Sequence, residues 1–348
     1  MWVVRNPYIG PRVRGVKARL ISMDQLRNMI FSTSVDDFLS LLAQTSYRGI
    51  ADKITRETPP EVASELIQGL VVNELWGMAS TMPVEVKDAL KTYLLKYEIE
   101  NIKAVVRLMV SGQFSRERAE KVIRWYFEDA LGRRFILVDL LNASNVDELA
   151  SRLAALRHQS HEYLLKAMDI ARNNPGFDEV IFETMLDRSW LEPLLKAADP
   201  IPQVSSFMVD FFNINVALRS KLWNLPVQVS RALMISSGIG VELERRLQED
   251  TPRILEYLAG DPIVSRILSS GFNELSDVVR YLHVSYFTTY RRFASTILNM
   301  GTEFSPASAL AMVHLRDLEA QVLSSIYNIV WSNAPRSIRE KMYLLLIS

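Results

Sequence analysis

The residues able to do chemistry start with four histidines, His158, His161, His283 and His314. His158 and His161 stand three apart, a spacing that on a helix sets two imidazoles side by side for a metal ion. His161-Glu162 also opens a zinc-protease signature, but the second histidine of that motif falls at Leu165. The chain has no cysteine, so thiolate zinc sites, iron–sulfur clusters, disulfides and a cysteine nucleophile are all excluded. The histidine pair therefore reads as solvated or helix-capping. Gly238-Ile239-Gly240 lacks the third glycine and the preceding strand of a dinucleotide-binding turn. No Gly-Lys pair occurs anywhere, which removes a Walker phosphate loop and, with it, ATP hydrolysis by this chain. No nucleophile–base set of a helical hydrolase is visible. The expectation is a protein with no catalytic residue, no metal and no cofactor.

A second group of polar residues is better placed to organise structure. Glu98, Asn101, Ile102 and Arg107 keep their spacing 112 residues on, as Asp210, Asn213, Ile214 and Arg219. Asn101 lies on an apolar stripe, four after Tyr97 and four before Val105. A buried amide there must find partners, because leaving it unsatisfied costs about 1–3 kcal/mol. Its expected use is to fix how helices pair, as a single seam asparagine fixes register in a coiled coil. A third copy is degraded: Glu319 can stand for Glu98, but Val322 takes the asparagine position and Asn328 the arginine position.

The third group is charged and aromatic. Arg5, Arg12, Arg14, Lys17 and Arg19 precede the first acid, Asp24. Such a run can meet lipid phosphates, at about 1 kcal/mol per cation near an anionic surface, or an acidic patch on a partner. Trp76, Trp125, Trp190, Trp223 and Trp331 are candidates for a partner-gripping wall. Core packing is the simpler expectation for each.

The elements that position these residues are helical. Glycine and proline together number 27 in 348 residues, about 8% against an average near 12%. The stripe Val86, Leu90, Leu94, Tyr97, Val105, Leu108 steps by three and four, and Ser111-Gly112 closes it. The best strand candidate, Phe135-Ile136-Leu137-Val138, has helical neighbours and reads as buried helix. The fold class is all-α. Forty basic and forty acidic side chains leave a formal net charge of zero, against a role in coating nucleic acid, which needs a cationic surplus. No stretch reaches the roughly 18 apolar residues of a membrane span. The start of the chain has no signal-peptide pattern, so a soluble, cytoplasmic protein is expected.

The helices also repeat. Residues 29–42 shifted by 111 fall on 140–153, with Val35, Asp36, Ser40 and Leu42 matched by identical residues. A shift of 237 brings 30–38 onto 267–275. Each copy ends one helix in a small polar patch and opens the next near an acid, where Ser or Asn caps free N–H groups and carboxylates favour the positive helix end. A unit near 112 residues is too long for a solenoid repeat. It implies three similar helical bundles, at 1–112, 113–225 and 226–348, the last most diverged.

These residues also carry a resemblance. Tyr8-Ile9-Gly10-Pro11-Arg12-Val13-Arg14-Gly15-Val16-Lys17-Ala18-Arg19-Leu20-Ile21, then Asp24-Gln25-Leu26 and Ser34-Val35-Asp36-Asp37-Phe38, resemble the start of the C subunit of A-type and V-type ATP synthases, the counterpart of the d subunit of the eukaryotic V-ATPase. Glu98-Ile99-Glu100-Asn101-Ile102-Lys103 with Arg107 resembles that family's most distinctive stretch, and Asp210 to Arg219 its internal repeat. The departures are the missing third asparagine and Arg316-Asp317 with Glu319 in place of a Lys-Glu pair and a further Glu. The resemblance implies a non-catalytic rotor part, a funnel of three bundles on the cytoplasmic face of the proteolipid (c/K) ring. There it would seat the shaft built from the D and F subunits and pass torque, near the static a/I membrane subunit, any lipid contact being peripheral. The runner-up is a helical-repeat scaffold for regulatory partners, unrelated to ion transport.

Overall fold

The computed structural model describes residues 9–196, 202–299 and 305–347, and among them every regular element is a helix. The first eighty residues form α1 (Ile9–Arg19), α2 (Met23–Ile30), α3 (Val35–Leu42), the one-turn α4 (Arg48–Ala51) and the long α5 (Pro60–Ser80). Next come α6 (Val84–Leu94), α7 (Lys96–Val110), α8 (Arg116–Val122), α9 (Trp125–Leu131), α10 (Arg134–Leu140) and α11 (Val146–Ala155). They are followed by α12 (Ser160–Asn173), α13 (Asp178–Lys196), α14 (Pro202–Leu222), α15 (Val227–Leu233) and α16 (Ile239–Arg246). The last five are α17 (Thr251–Leu258), α18 (Pro262–Ser269), α19 (Leu275–Asn299), α20 (Pro306–Trp331) and α21 (Arg336–Ile347). None of the described helices is long and apolar enough to cross a membrane.

Two compact units divide the chain: residues 1–87 with 255–348, and residues 88–254. The first is built around α20. Every residue from 308 to 320 is buried, because α1, α2, α3, α5 and α19 all pack on this helix. Its apolar content on all faces suits a helix at the centre of a bundle rather than on its surface. In the second unit α13 is the shared wall, packed by α7, α12 and α14.

Helix ends follow local chemistry. Ser34 caps α3 by accepting from the Asp37 N–H at 3.1 Å, and Asn145 caps α11 by accepting from the Glu148 N–H at 2.9 Å. Both caps are followed by acids in the first turn, Asp36-Asp37 and Asp147-Glu148, which complement the positive helix end. At the third position α18 stops at Ser269 and α19 starts at Leu275, three residues later than a shift of 237 places it. The C-terminal ends of α7, α14 and α20 also share one geometry. Gly112, Asn224 and Asn333 take left-handed φ values of 68°, 54° and 47°. The next residue's N–H then bonds back five residues, Gln113 to Leu108, Leu225 to Ser220 and Ala334 to Ile329, at 2.8–2.9 Å. Glycine and asparagine are the residues that enter this region at least cost.

Two sequence expectations need correction. Residues 134–140 are helical, but only one side of α10 is buried, through Ile136, Leu137 and Leu140; Phe135 is 62% and Val138 42% exposed. A seven-residue helix on the surface cannot bury two adjacent faces. The five tryptophans among the described residues are not core residues either. Trp76, Trp125 and Trp190 are half-buried, and Trp223 and Trp331 are 44% and 42% exposed at the ends of α14 and α20. The core is filled instead by aliphatic residues, by Tyr47, Tyr93, Tyr286, Tyr290 and Tyr327, and by Phe38, Phe127 and Phe287.

A central helix makes a sharp stability prediction. Leu323→Ala on α20, where the side chain is fully buried, is expected to cost about 2–5 kcal/mol, read from the midpoint of chemical denaturation. Leu165→Ala, at an exposed position of α12, is expected to change stability by less than about 0.5 kcal/mol.

Candidate functional site

Helix α7 presents Glu98 and Asn101 three residues apart, and so on one face, toward the interior of the second unit. Asn101 behaves like a backbone fragment. Its Oδ1 accepts from the Arg124 N–H at 2.8 Å, and its Nδ2 donates to the Arg124 carbonyl at 3.2 Å and to Glu128 Oε1 at 2.8 Å. The amide thereby ties α7 to the chain entering α9. Glu98 has no solvent exposure and is bound by three donors: Arg133 Nε at 2.7 Å, Arg133 Nη2 at 3.1 Å and His158 Nε2 at 2.7 Å. Burial pushes its pKa up, but the hydrogen bonds from His158 and Arg133 prevail and hold it below the ordinary carboxylate value.

His158 is thus neither a solvated residue nor one of a pair with His161. It does cap: Nδ1 accepts from the Ser160 N–H at 3.1 Å where α12 begins. With Nδ1 an acceptor, the ring proton sits on Nε2 and is donated to Glu98. Burial follows from that bond, since a carboxylate with no access to water draws the imidazole inward. His314 is buried as well, its Nε2 lying 2.6 Å from the Tyr286 hydroxyl. Among the described residues no three His, Asp or Glu side chains converge where a metal ion could sit.

Arg107 and Lys103 face α13. Arg107 pairs with Glu179 at 3.1 Å and with Glu183, and Lys103 with Glu100 at 2.9 Å and Asp187 at 3.0 Å. Burial works against the lysine charge, but the two carboxylates outweigh it and keep Lys103 protonated well above its ordinary range. The half-exposed Arg107 pairs are worth little on their own; the pair of the nearly buried Lys103 with Asp187 fixes α7 on α13, while Glu100 lies on α7 itself.

The second occurrence of the pattern repeats the amide geometry with different neighbours. Asn213 on α14 accepts from the Ile235 N–H and donates to the Ile235 carbonyl, both at 2.9 Å. Asp210 accepts from the Ile239 N–H at 2.9 Å. Gly238-Ile239-Gly240 closes over this pair. A Cβ at Gly238 would lie 2.1 Å from Asp210 Oδ1, and one at Gly240 2.3 Å from Asn213 Nδ2. Both glycines are there for close approach to side chains, a use of glycine unrelated to phosphate binding. Arg219 lies with its guanidinium 5.5 Å from the Trp223 ring centroid. With Lys103, Asp187 and Trp223 it lines a cavity of about 80 Å³.

At the third occurrence, on α20, Glu319 and Arg316 are both fully buried and paired. Glu319 also accepts from the Ile21 N–H at 2.6 Å and the Tyr47 hydroxyl at 3.2 Å. Arg316 donates to the Arg19 carbonyl, to Ser46 and to Glu74, and its guanidinium lies 4.4 Å from the centre of the Tyr47 ring. The segment closing over this acid lies far upstream, at residues 19–21 and 46–47, rather than just after the helix. Val322 is buried where the asparagine is missing, and Asn328 is exposed.

Of the N-terminal cations, Arg5 lies outside the described residues. Helix α1 buries Ile9, Gly10, Val13 and Val16. At about 100° per residue, Arg12 and Arg19 lie on one flank of that buried stripe and Arg14 and Lys17 on the other. Arg19 reaches Glu74 at 2.9 Å. Tyr47, Glu128, Arg133, His158 and Arg316 belong to the buried polar networks without being singled out for them by sequence. A signal exists for Glu128 and Arg316, charged residues at core-facing positions among apolar neighbours.

A family model described as "ATP synthase (C/AC39) subunit" matches residues 9–341. The chain belongs to this family. It is 22% identical to the C subunit of the A-type ATP synthase of Pyrococcus horikoshii, in an alignment covering 96% of this chain and 90% of that protein. To the C subunit of the A-type ATP synthase of Methanocaldococcus jannaschii it is 25% identical, over 62% of this chain and 54% of that one. The C subunit of the V-type sodium ATPase of Enterococcus hirae is 21% identical over 90% of both. In this C/AC39 family member, the two asparagine clamps and the Glu319–Arg316 pair form the polar interior, and α1 with its cations forms part of the surface.

Two outcomes follow for the polar interior. Asn213→Ala is expected to cost about 1–3 kcal/mol by leaving the Ile235 N–H and carbonyl unsatisfied, measured by equilibrium unfolding. Arg316→Leu should cost about 3–5 kcal/mol because Glu319 is left buried without its cation, whereas Arg316→Leu with Glu319→Leu should cost less than the single change.

Proposed function

We propose that this chain is the non-catalytic adaptor of the rotor in an A/V-type ATPase, seating the shaft of D and F subunits on the membrane proteolipid ring. It transmits torque by packing and polar contacts, with no bond made or broken, and works peripherally at the cytoplasmic face beside the static a/I subunit. The observation that carries this reading is the family match along nearly the whole chain, residues 9–341. The choice of coupled ion belongs to the ring.

The three-bundle organisation, 1–112, 113–225 and 226–348, is part of the proposal. Its support is the recurrence of the amide clamp at Asn101 and Asn213. Glu98, Asp210 and Glu319 are then equivalent acids, each met by whatever segment closes its bundle. For the third acid that segment includes Ile21, which ties α1 to the last long helix. Torque transmission needs an element that does not shear under load. Helices cross-linked by buried, paired polar groups meet that need better than aliphatic packing alone, because a slip of one turn leaves charges unanswered.

Arg12, Arg14 and Lys17, on both flanks of α1, are assigned to contact with an acidic rotor partner or with lipid headgroups. Arg19 belongs to the same run but is already held by Glu74. The test is co-purification of the full chain with a detergent-solubilised proteolipid ring and a D–F shaft. The adaptor reading predicts one stable complex containing all three. Recovery only with soluble proteins other than the shaft contradicts it. Arg12→Ser, Arg14→Ser and Lys17→Ser together are expected to weaken assembly at raised salt. Unchanged assembly would remove α1 from the interface without touching the rest.

A further inference from the structure

Glu98 and Glu128 lie in one buried cluster but are equipped differently. Glu98 receives three hydrogen bonds from Arg133 and His158, the donor set of an ionised carboxylate. Glu128, also without solvent exposure, receives one, from Asn101 Nδ2 on Oε1; its Oε2 meets no donor. A buried carboxylate with an unanswered oxygen beside a second carboxylate is costly, whereas a carboxylic acid needs no donor there. The groups facing Glu128 are Glu98 and Asn101 from α7, Arg133 from the α9–α10 turn and Asp129 on α9 itself. Around them, Arg134 of α10 is bound to Asp129, Arg124 lies over the Phe127 ring, and His158 faces Glu98. Arg133, the cation that reaches the carboxyl pair among the described residues, is committed to Glu98.

We propose that Glu128 is a proton-operated latch: buried beside Glu98 it keeps its proton while α9 is docked on α7, and because undocking releases that proton to solvent, the docked state gives way more readily as pH rises. Burial and the Glu98 charge push Glu128 from its ordinary 4.5 to about 7, in keeping with the geometry. A carboxyl whose folded value is raised contributes its full stabilisation below the ordinary value and loses it as pH rises to the folded one. The docking of α9 therefore weakens from pH 4.5 to about 7 and stays level above. Asn213 is the built-in control, since it makes the same clamp on Ile235 with backbone carbonyls as its acceptors.

The test is hydrogen exchange of the full chain from pH 5 to 8, corrected for intrinsic rates, read at the Arg124 and Ile235 amides. Protection of the Arg124 amide, held by Asn101 Oδ1, should fall by up to about tenfold per pH unit up to about pH 7 and then level off. Protection at Ile235 should fall less over the same range, since burial raises Asp210 beside it but the Ile239 N–H offsets part of that effect. In Glu128→Gln the fall at Arg124 should disappear. Carboxyl carbon NMR of the wild-type chain, which needs no variant, should show Glu128 titrating near neutrality. A Glu128 midpoint at the ordinary carboxylate value, or an Arg124 fall that persists in Glu128→Gln, overturns the proposal.

Discussion

Acids on the inner faces of long helices impose the strictest demand on this fold. Glu98 and Glu319 are fully buried and Asp210 half-buried. Removing a carboxylate from water costs several kcal/mol unless donors replace the water. Each acid is met by a different solution: Arg133 and His158 for Glu98, the Ile239 N–H for Asp210, and Arg316 with Tyr47 and the Ile21 N–H for Glu319. Most of those donors lie far along the chain, so satisfying the acids also fixes which loops return to which helix. The two asparagines act in the same way with less electrostatic risk, since a neutral amide can pair with a backbone N–H and carbonyl together.

This arrangement connects local sequence to mechanical character. The apolar core alone gives cohesion but weak directionality, because aliphatic side chains tolerate small slips. The buried polar pairs make a slip expensive. They sit where α7 and α14 meet the segments that follow them and where α20 meets the segment after α1. A slip at those junctions would uncover buried charge, whereas the exposed Phe135 and Trp331 lie apart from these pairs.

Much of the fold is legible in the sequence. Helical class, the turns after residues 30 and 140, the Gly112 ending and the unusual standing of Asn101 all follow from spacing and residue type, because each depends on neighbours within a turn or two. What escapes such reading depends on distant partners. The bond of His158 to Glu98 spans 60 residues, and that of Glu319 to the Ile21 N–H spans 298; neither leaves a local pattern. Residue type alone separates the Gly238-Ile239-Gly240 turn from nucleotide binding, but its purpose emerges only with Asp210 and Asn213 beneath it. Hydrophobicity does not tell a core tryptophan from one at a helix end, and here tyrosines, phenylalanines and aliphatics fill the interior instead. The two compact units are equally hidden, since the first joins residues from both ends of the chain.

If this chain couples shaft rotation to the ring, its removal must separate two activities that otherwise run together. The measurement is ATP-driven ion uptake into vesicles carrying the assembled ATPase, compared with ATP hydrolysis by the same preparation, with and without this chain. Omitting the chain is expected to leave hydrolysis running while ion uptake is lost, and adding the full chain back to restore uptake. Ion uptake that continues undiminished without the chain would contradict the adaptor role.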